Sequence, residues 1–238
     1  SRLMNNAKLI SHSQPSFRIH SGELASTGLD NIQDLIAYAA RVSNPANQAN
    51  TKTTPKLLDY LIKFKHWSPF EMASACIEIT TTRDIARQLL RHRSFSFQEF
   101  SQRYADIRDL DDNFVIRDAR MQDPKNRQNS VATDVADLQD RWAERQAEVI
   151  ACSKAAYSWA LANGIAKEQA RAVLPEGNTV SKLYVNGTIR SWIHYIELRS
   201  ANGTQLEHME LAREVAKAIA KIYPKTAEFV TDDGNSNS

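Results

Sequence analysis

The chain contains 238 residues, of which 42% are hydrophobic and 24% are charged, and this composition excludes collagen-like and wholly disordered proteins. Lys and Arg number 30 against 28 Asp and Glu, and the resulting net charge of +2 argues against a general nucleic-acid binder while leaving room for a local basic pocket. The 7 glycines form neither the G-x-G-x-x-G fingerprint of dinucleotide-binding folds nor a P-loop. Any nucleotide must therefore be bound without those two loops.

Cysteine content and hydropathy bear on the compartment. Two cysteines, Cys76 and Cys152, are too few for a disulfide framework or a four-thiolate zinc site, and they favour a reducing compartment. The longest apolar run, residues 35–40, is far shorter than the roughly 20 residues that a membrane-spanning helix needs. No N-terminal secretion signal is visible. We expect a cytoplasmic protein that binds neither nucleic acid nor a membrane.

Apolar periodicity predicts short strands and helices in the first half of the chain. We predict strands over residues 8–12, 77–82 and 114–117, and helices over residues 31–41, 57–65 and 83–93. Residues 45–52 are expected to form a polar loop and residues 106–112 an acidic one. Residues 94–104 begin with alternating Phe and Ser, and we expect them to be extended.

A long amphipathic helix is expected to dominate the second half. Its apolar face is predicted to carry Val135, Leu138, Trp142, Val149, Cys152 and Ala156, and Asn163-Gly164 to end it. The polar residues 121–130, which precede it, are predicted to form a mobile loop. After it we predict helices over residues 167–173, 188–199 and 206–222, and a strand over residues 179–186. Thr204 and Glu207 have the spacing of a capping box for the last helix.

No internal repeat or linker divides the sequence. The order of elements favours a single domain over residues 1–238, of the α+β class, in which helices pack on a largely antiparallel sheet. Residues 1–5 and 231–238 are expected to be flexible tails.

Residues 83–93 form a local basic segment, with four arginines and one aspartate. The planar fork of arginine matches phosphate oxygens and carbonyl edges. If the segment that follows is extended, Glu99, Ser101 and Arg103 point the same way, because side chains along a strand alternate between faces. These groups could converge on one ligand. A solvated basic helix face followed by a core strand is an equally good interpretation.

A second arginine set lies on the predicted 188–199 helix. Arg190, His194 and Glu197 share one face, whereas isoleucines occupy the opposite one. Arg199 ends the helix, a place where a cation is also favoured by the helix dipole alone. Arg171 lies near another predicted helix end. Each of these arginines could be a ligand contact or an ordinary cap.

Metal and thiolate chemistry are poorly supported. His194-x-x-Glu197 and His208-x-Glu210 match no metal-binding motif, so we predict no metal site and interpret these residues as surface or ligand-contact positions. Cys76 and Cys152 have no activating histidine nearby in sequence, and we expect both to be buried as small apolar side chains. His66 is interpreted as a helix cap.

Arg91-His92-Arg93, followed after seven residues by Ser101, resembles the signature of the flavin-dependent thymidylate synthases. The resemblance continues through residues 39–43, 66–71, 170–175 and 190–199, and so covers most of the chain. It implies that dUMP is methylated to dTMP, with 5,10-methylenetetrahydrofolate as carbon donor and an FAD that NADPH reduces. It also implies a homotetramer whose sites are built from several subunits.

The resemblance assigns ligand contacts as well. The residues implied to hold dUMP are Gln88, Arg91, Glu99, Ser101, Gln102, Arg103, Arg171 and Arg199. The residues implied to contact FAD are Ser43, Ser68, Glu71, Arg91, His92, Arg93, Glu99, Thr188, Arg190 and His194. Arg199 is implied to be catalytic by polarising the uracil, and His66 to lie where folate stacks on the flavin. Met72 and Thr188 stand where the family often has histidine and asparagine.

The residue chemistry agrees with this resemblance. Uracil C5 is a poor nucleophile until electron density is pushed into the ring, and a cationic site could do this in place of an attacking thiolate. The alternative from another class is a nucleotide- or RNA-binding module that uses the same arginines with Phe95, Phe97 and Tyr104. A structural oligomeric scaffold is the third possibility.

Overall fold

The computed structural model describes residues 5–16, 31–110 and 113–231. The expected tails fall almost entirely outside these residues, and so does the end of the predicted 106–112 loop. The strands are β1 (Asn6–His12), β2 (Ser74–Thr82), β3 (Ser96–Glu99), β4 (Arg120–Gln122), β5 (Ser130–Ala132) and β6 (Val180–Thr188). The helices are α1 (Ile32–Ala40), α2 (Thr54–Lys63), α3 (Arg83–Leu89), α4 (Leu138–Ala162), α5 (Lys167–Ala170), α6 (Ile189–Ser200) and α7 (Leu206–Ala220).

A four-stranded antiparallel sheet organises the fold, in the order β1-β2-β6-β3. Its centre is the β2–β6 pair, which runs without interruption from Ser74 opposite Thr188 to Thr82 opposite Val180. Alternate β2 residues, Ala75, Ile77 and Ile79, are buried, as the period of a half-buried strand requires. The fold class is therefore the predicted one, a single α+β domain.

Helices α6 and α7 pack against each other and against this sheet. The isoleucines predicted for the apolar face of α6, Ile189, Ile193 and Ile196, are fully buried in the core. Thr188 caps α6 by accepting a hydrogen bond from the Ser191 backbone N–H at 3.2 Å. Within the described ranges, no helix is long and apolar enough to cross a membrane.

Gly187 allows an aromatic ring to lie directly on β6. A Cβ at this position would stand 2.3 Å from Cδ1 of Phe95. The Phe95 ring also packs against Trp192, with ring centroids 4.4 Å apart. The absence of a side chain at Gly187 thus leaves room for Phe95, which follows the Arg91-His92-Arg93 motif between α3 and β3.

The long helix α4 forms where predicted, but the predicted apolar face is wrong. Val135, which lies just before the helix, is exposed, and so are Trp142, Val149 and Cys152 within it. The buried residues of α4 are instead Gln146, Ile150, Ser153, Tyr157 and Ala160. Gln146 determines this orientation, because its amide bonds both backbone groups of Arg117 at 2.9 and 2.8 Å and accepts from Asn178 at 2.9 Å. We call these three hydrogen bonds the Gln146 clamp, and they orient α4 differently from its predicted apolar face.

The same clamp explains why residues 114–117 are not the predicted strand. Phe114 forms an isolated bridge opposite Thr179 and the Val115 N–H donates to the Asn178 carbonyl at 2.9 Å, but both backbone groups of Arg117 are bound by the Gln146 side chain. The segment 121–130, predicted as a loop, is more regular than expected. It contains most of a hairpin in which β4 pairs with β5, and the Asp123 carboxylate accepts from the Lys125 and Asn126 backbone N–H groups in its turn.

Several element boundaries differ from prediction. Helix α3 stops at Leu89 rather than at residue 93, and residues 45–52 contain short 3₁₀ turns. The capping box does not form: α7 begins after Gln205, and the Thr204 hydroxyl donates instead to the Leu198 carbonyl at 3.3 Å. Its intended partner, Glu207, lies 3.4 Å from the Arg117 guanidinium, and this ion pair removes the carboxylate from the helix terminus.

Candidate active site

The end of α3 meets the last turn of α6 at a polar corner. Arg199 Nε donates to His92 Nε2 at 2.9 Å, and Arg199 Nη2 donates to the Gln88 carbonyl at 3.4 Å. Because His92 Nε2 is the acceptor, a neutral His92 ring carries its proton on Nδ1. Three residues of the predicted set are thereby joined by direct hydrogen bonds.

The polar corner carries the positive charge of Arg199 beside a neutral His92. Burial, and then the charge of Arg199, lowers the pKa of His92 to about 4, so the imidazole is neutral near pH 7. Burial also lowers the pKa of Arg199, and Arg91 acts in the same direction whereas Tyr195 opposes it. Arginine remains protonated despite such a shift. Among the described residues no carboxylate pairs with Arg199, so its charge is held in place without being neutralised.

A hydrogen-bond chain behind the corner runs from the buried Tyr195 and His208 through the half-buried Gln88 to the exposed Gln205. His208 Nδ1 is 2.9 Å from Gln88 Oε1, and His208 Nε2 is 3.0 Å from the Tyr195 hydroxyl. Gln88 Nε2 donates to Gln205 Oε1 at 2.9 Å. His208 is fully buried, so its interpretation as a surface or ligand-contact residue is wrong. Its helical spacing to the apolar Leu211, Ala212 and Val215 could have indicated burial.

A second cluster lies toward the N-terminal end of α6, where Arg190 is about 14 Å along the helix axis from Arg199. Arg190 pairs with Glu71 at 3.3 Å, and the His194 ring meets Trp67 edge-on at a centroid distance of 4.8 Å. Burial lowers the pKa of His194. Glu71 belongs to the 3₁₀ turn Ser68–Met72, which packs against α6. The structure therefore places part of the predicted flavin-binding set, Glu71, Arg190 and His194, on or against one helix.

Glu99 is directed elsewhere. Its Oε1 lies 3.0 Å from Arg83 Nη1, and both side chains are largely shielded from water. Burial raises the pKa of Glu99, and the Arg83 charge opposes that shift. The strand β3 ends at Glu99, and a turn follows in which the Tyr104 and Ala105 N–H groups donate to the Ser101 carbonyl. The predicted alternation of Glu99, Ser101 and Arg103 on one face is therefore wrong.

The other predicted ligand contacts are dispersed over the chain. Arg91, Arg93 and Ser43 are exposed, Gln102 is buried, and Arg171 opens a 3₁₀ turn after α5. Arg103 is exposed, and its guanidinium lies 5.4 Å from the centroid of the Tyr104 ring. In the described part of the chain no hydrogen bond or ion pair joins Ser101, Arg103 or Arg171 to Arg199. One chain by itself brings together only part of the set.

His66 stands apart from both clusters. It does close α2, but through its backbone N–H, which donates to the Leu61 carbonyl at 2.8 Å while Lys65 adopts a left-handed conformation. The imidazole itself is exposed beside two aromatic rings, 6.1 Å from Tyr60 and 6.4 Å from Phe64 between centroids. These three rings form a small exposed aromatic surface.

The cysteines and acidic groups offer little alternative chemistry. Burial raises the pKa of the half-buried Cys76 thiol, which disfavours a thiolate. Cys152 is exposed, so the expectation that it is buried is wrong. Over residues 5–16, 31–110 and 113–231, no group of three or more His, Cys, Asp or Glu side chains could hold a metal ion.

Comparison with known proteins gives consistent matches. The profile of the family described as thymidylate synthase complementing protein matches residues 24–225. A probable flavin-dependent thymidylate synthase from Paramecium bursaria Chlorella virus 1 is 49% identical over 223 residues, which cover 94% of this chain and 97% of that protein. A flavin-dependent thymidylate synthase from a Synechocystis strain is 47% identical over 223 residues, with 93% and 97% covered.

A solved structure shares the fold. The UMP/dUMP methylase PolB from Streptomyces cacaoi, bound with 5-Br dUMP, is 27% identical to this chain and superposes with a TM-score of 0.76. The match covers 96% of this chain and 95% of that one. The similarity thus extends over nearly the whole length of both proteins.

Proposed function

The chain belongs to the flavin-dependent thymidylate synthase family, and we propose on that premise that it methylates dUMP to dTMP, with 5,10-methylenetetrahydrofolate as carbon donor and FAD reduced by NADPH. The family and the two relatives support the reaction, and the structural similarity to a methylase bound with 5-Br dUMP supports the substrate. The near-balanced charge of the chain gives no support to a general nucleic-acid-binding role.

The observation that carries the proposal is the geometry of Arg199. A guanidinium has five N–H donors, and within the described residues only two of those of Arg199 are engaged, by His92 and by the Gln88 carbonyl. The remaining donors are available to the carbonyl oxygens of a uracil ring. Because His92 is neutral, it orients Arg199 without cancelling the charge. An oriented cation stabilises negative charge that develops on the ring and favours loss of the N3 proton.

The balance of the reaction sets what the protein must do. A methylene group becomes a methyl group by gaining a hydride, C5 of the uracil loses its proton, and the folate leaves as tetrahydrofolate. When bound, FAD supplies the hydride that it receives from NADPH. The protein must increase electron density at C5, and Cys76 is unsuited to this because its thiol pKa is raised. Arg199 is the group we assign to that task.

We propose that the second cluster binds FAD. Its guanidinium, imidazole and hydroxyl groups, from Arg190, His194 and Thr188, are donors suited to a pyrophosphate, and Thr188 lies at the positive end of the α6 dipole. The proposed FAD contacts also include Ser43, Ser68, Glu71, Arg91, His92, Arg93 and Glu99. The proposed dUMP contacts besides Arg199 are Gln88, Arg91, Glu99, Ser101, Gln102, Arg103 and Arg171. His66 is proposed to lie beside the folate.

We propose further that the active protein is a homotetramer with sites shared between subunits. Arg91, Arg93 and Arg103 are exposed in one chain, so a neighbouring subunit could meet them at a shared site. Helix α4 exposes Trp142, Val149 and Trp159, which are large apolar side chains suited to a subunit interface. Both features support assembly around a site that one chain leaves incomplete.

The variant Arg199→Ala tests the catalytic assignment. We expect dTMP formation to fall by about 10²-fold or more, as for loss of a preorganised donor to developing negative charge, while the flavin absorbance of the purified protein stays unchanged. Arg108→Ala is the matched control, because in the described part of the chain Arg108 pairs with the nearby Asp106 and lies in neither cluster. Unchanged turnover in Arg199→Ala would remove Arg199 from the mechanism.

A further inference from the structure

We propose that His208 is a positioning residue, which holds the Gln88 carboxamide in the orientation that receives a pyrimidine nucleotide. This inference rests on the proposed function, since it assumes that the corner around Arg199 binds dUMP. His208 itself is fully buried and cannot touch a ligand. Its effect must pass through the hydrogen bond of 2.9 Å between its Nδ1 and Gln88 Oε1.

The donors and acceptors in this chain have one consistent arrangement. Gln88 Oε1 can only accept, so His208 Nδ1 carries a proton and donates to it. Nε2 of the neutral ring is then an acceptor and receives the Tyr195 hydroxyl proton at 3.0 Å. Gln88 Nε2 donates onward to Gln205 Oε1 at 2.9 Å. Burial, with the charge of Arg199, lowers the pKa of His208 to about 3, which agrees with a neutral ring.

Gln88 is restrained from two directions. Its side-chain amide is held by His208 and Gln205, while its backbone carbonyl accepts from Arg199 Nη2 at 3.4 Å. Gln88 is half-buried, and its carboxamide nitrogen has a second N–H beyond the one that Gln205 accepts. That N–H and the available Arg199 donors belong to the same corner. Together they suit the carbonyl oxygens of a uracil ring.

Packing alone does not account for a histidine here. The buried face of α7 around it is apolar, with Leu211, Ala212 and Val215 fully buried. Burying an imidazole in such surroundings costs free energy, which the hydrogen bonds to Gln88 and Tyr195 offset. A leucine of similar size would fill the space without that cost. The histidine instead orients the Gln88 amide, because its Nδ1–H holds the amide oxygen and so turns the amide nitrogen away from His208.

Two polar substitutions separate positioning from packing. His208→Asn keeps a donor near the place of Nδ1, whereas His208→Gln reaches toward Tyr195 and loses the donor to Gln88. On flavin-loaded protein we expect the dUMP dissociation constant to rise about tenfold in His208→Gln and in His208→Leu, the loss of about one hydrogen bond. His208→Asn should bind dUMP nearly as the wild type does. Flavin content should stay constant throughout.

A double substitution shows whether the effect passes through Gln88. In a Gln88→Ala protein, His208→Gln should change the dUMP dissociation constant little, because the group that it orients is gone. Thr226→Val is the control for simple destabilisation: its buried hydroxyl bonds the Tyr223 carbonyl at 2.5 Å, away from the corner. It should lower the thermal midpoint and leave dUMP binding unchanged.

Measured dUMP affinities of these variants distinguish failure of the positioning role from failure of the proposed function. Wild-type dUMP affinity in His208→Gln, or an equal loss with and without Gln88, overturns the positioning role. Weak binding in His208→Asn but not in His208→Gln would show that the Tyr195 side of the ring matters instead, and also overturns it. A wild-type protein that takes up FAD but fails to bind dUMP would sink the proposed function itself, and is thus distinguishable from failure of this inference.

Discussion

Arg199 is paired with His92, a neutral base, rather than with a carboxylate. A carboxylate would fix the guanidinium equally well but would cancel most of its field. His92 fixes it through Nε2 at 2.9 Å and leaves the charge intact. The same Arg199 charge then helps to keep His92 neutral. The two side chains stabilise each other in the protonation states that the proposed chemistry needs.

This pairing predicts how stability depends on pH. The pKa of His92 is lowered to about 4 and that of His208 to about 3 in the folded protein, against about 6.5 in an unfolded chain. The unfolded state therefore binds more protons below pH 6.5, so their contribution is complete above about pH 6.5 and is lost as the pH falls toward 4. We expect the thermal midpoint to decrease between pH 7.5 and pH 5.

The variant His92→Gln isolates the contribution of one ring. Its amide oxygen can accept from Arg199 Nε but cannot titrate, so the midpoint should fall less between pH 7.5 and pH 5 than in the wild type. An identical fall in both proteins, measured by thermal unfolding with circular dichroism, would show that His92 does not carry the expected linkage.

Helices α4 and α6 show what apolar patterning can and cannot predict. The apolar face of α6 was correctly predicted, because Ile189, Ile193 and Ile196 pack directly on the sheet. The face of α4 was not, because Gln146 anchors that helix through amide hydrogen bonds. Hydrophobic spacing describes a helix whose burial is driven by apolar contact. It misorients one that is turned by a buried polar side chain.

The close contact between Gly187 of β6 and the Phe95 ring can be tested by substitution. In Gly187→Ala the new Cβ would overlap the Phe95 ring, which is confined by Trp192 at 4.4 Å. Overpacking of this kind costs about 1–3 kcal/mol, and we expect the thermal midpoint to fall by about 5 °C or more. Gly177→Ala is the control, since its nearest atom is the end of the Arg117 side chain at 3.2 Å. Equal midpoints in the two variants would contradict the tight contact at Gly187.

Over the whole molecule, the sequence was sufficient for the fold class and for the family, and insufficient for the interior of the site. The Arg91-His92-Arg93 motif is local, so its resemblance could be read directly. The Gln88 partners Arg199 and His208 come from α6 and α7, more than 100 residues away, and no local pattern links them. The order β1-β2-β6-β3 brings these distant segments together. The sequence pattern therefore does not predict which distant polar side chains meet in the folded protein.

The predicted ligand residues are spread over the whole chain. Arg199, His92 and Gln88 meet within one chain, whereas Arg103 and Arg171 lie elsewhere on its surface. The proposed tetramer accounts for this separation if neighbouring chains supply the remaining contacts. The sequence has no glycine-rich phosphate-loop motif, and the absence of a side chain at Gly187 makes room for the Phe95 ring. Nucleotide binding in this protein is proposed to depend on arginine side chains.

The most direct test of the account is the rate of dTMP formation by the double variant Cys76→Ala/Cys152→Ala, supplied with FAD, NADPH, 5,10-methylenetetrahydrofolate and dUMP. We expect a rate close to that of the wild type, because we assign activation of the uracil to Arg199 rather than to a thiolate. Loss of dTMP formation in a folded, flavin-binding double variant would contradict that claim and restore a cysteine mechanism. Absence of dTMP in the flavin-loaded wild type as well would contradict the proposed reaction.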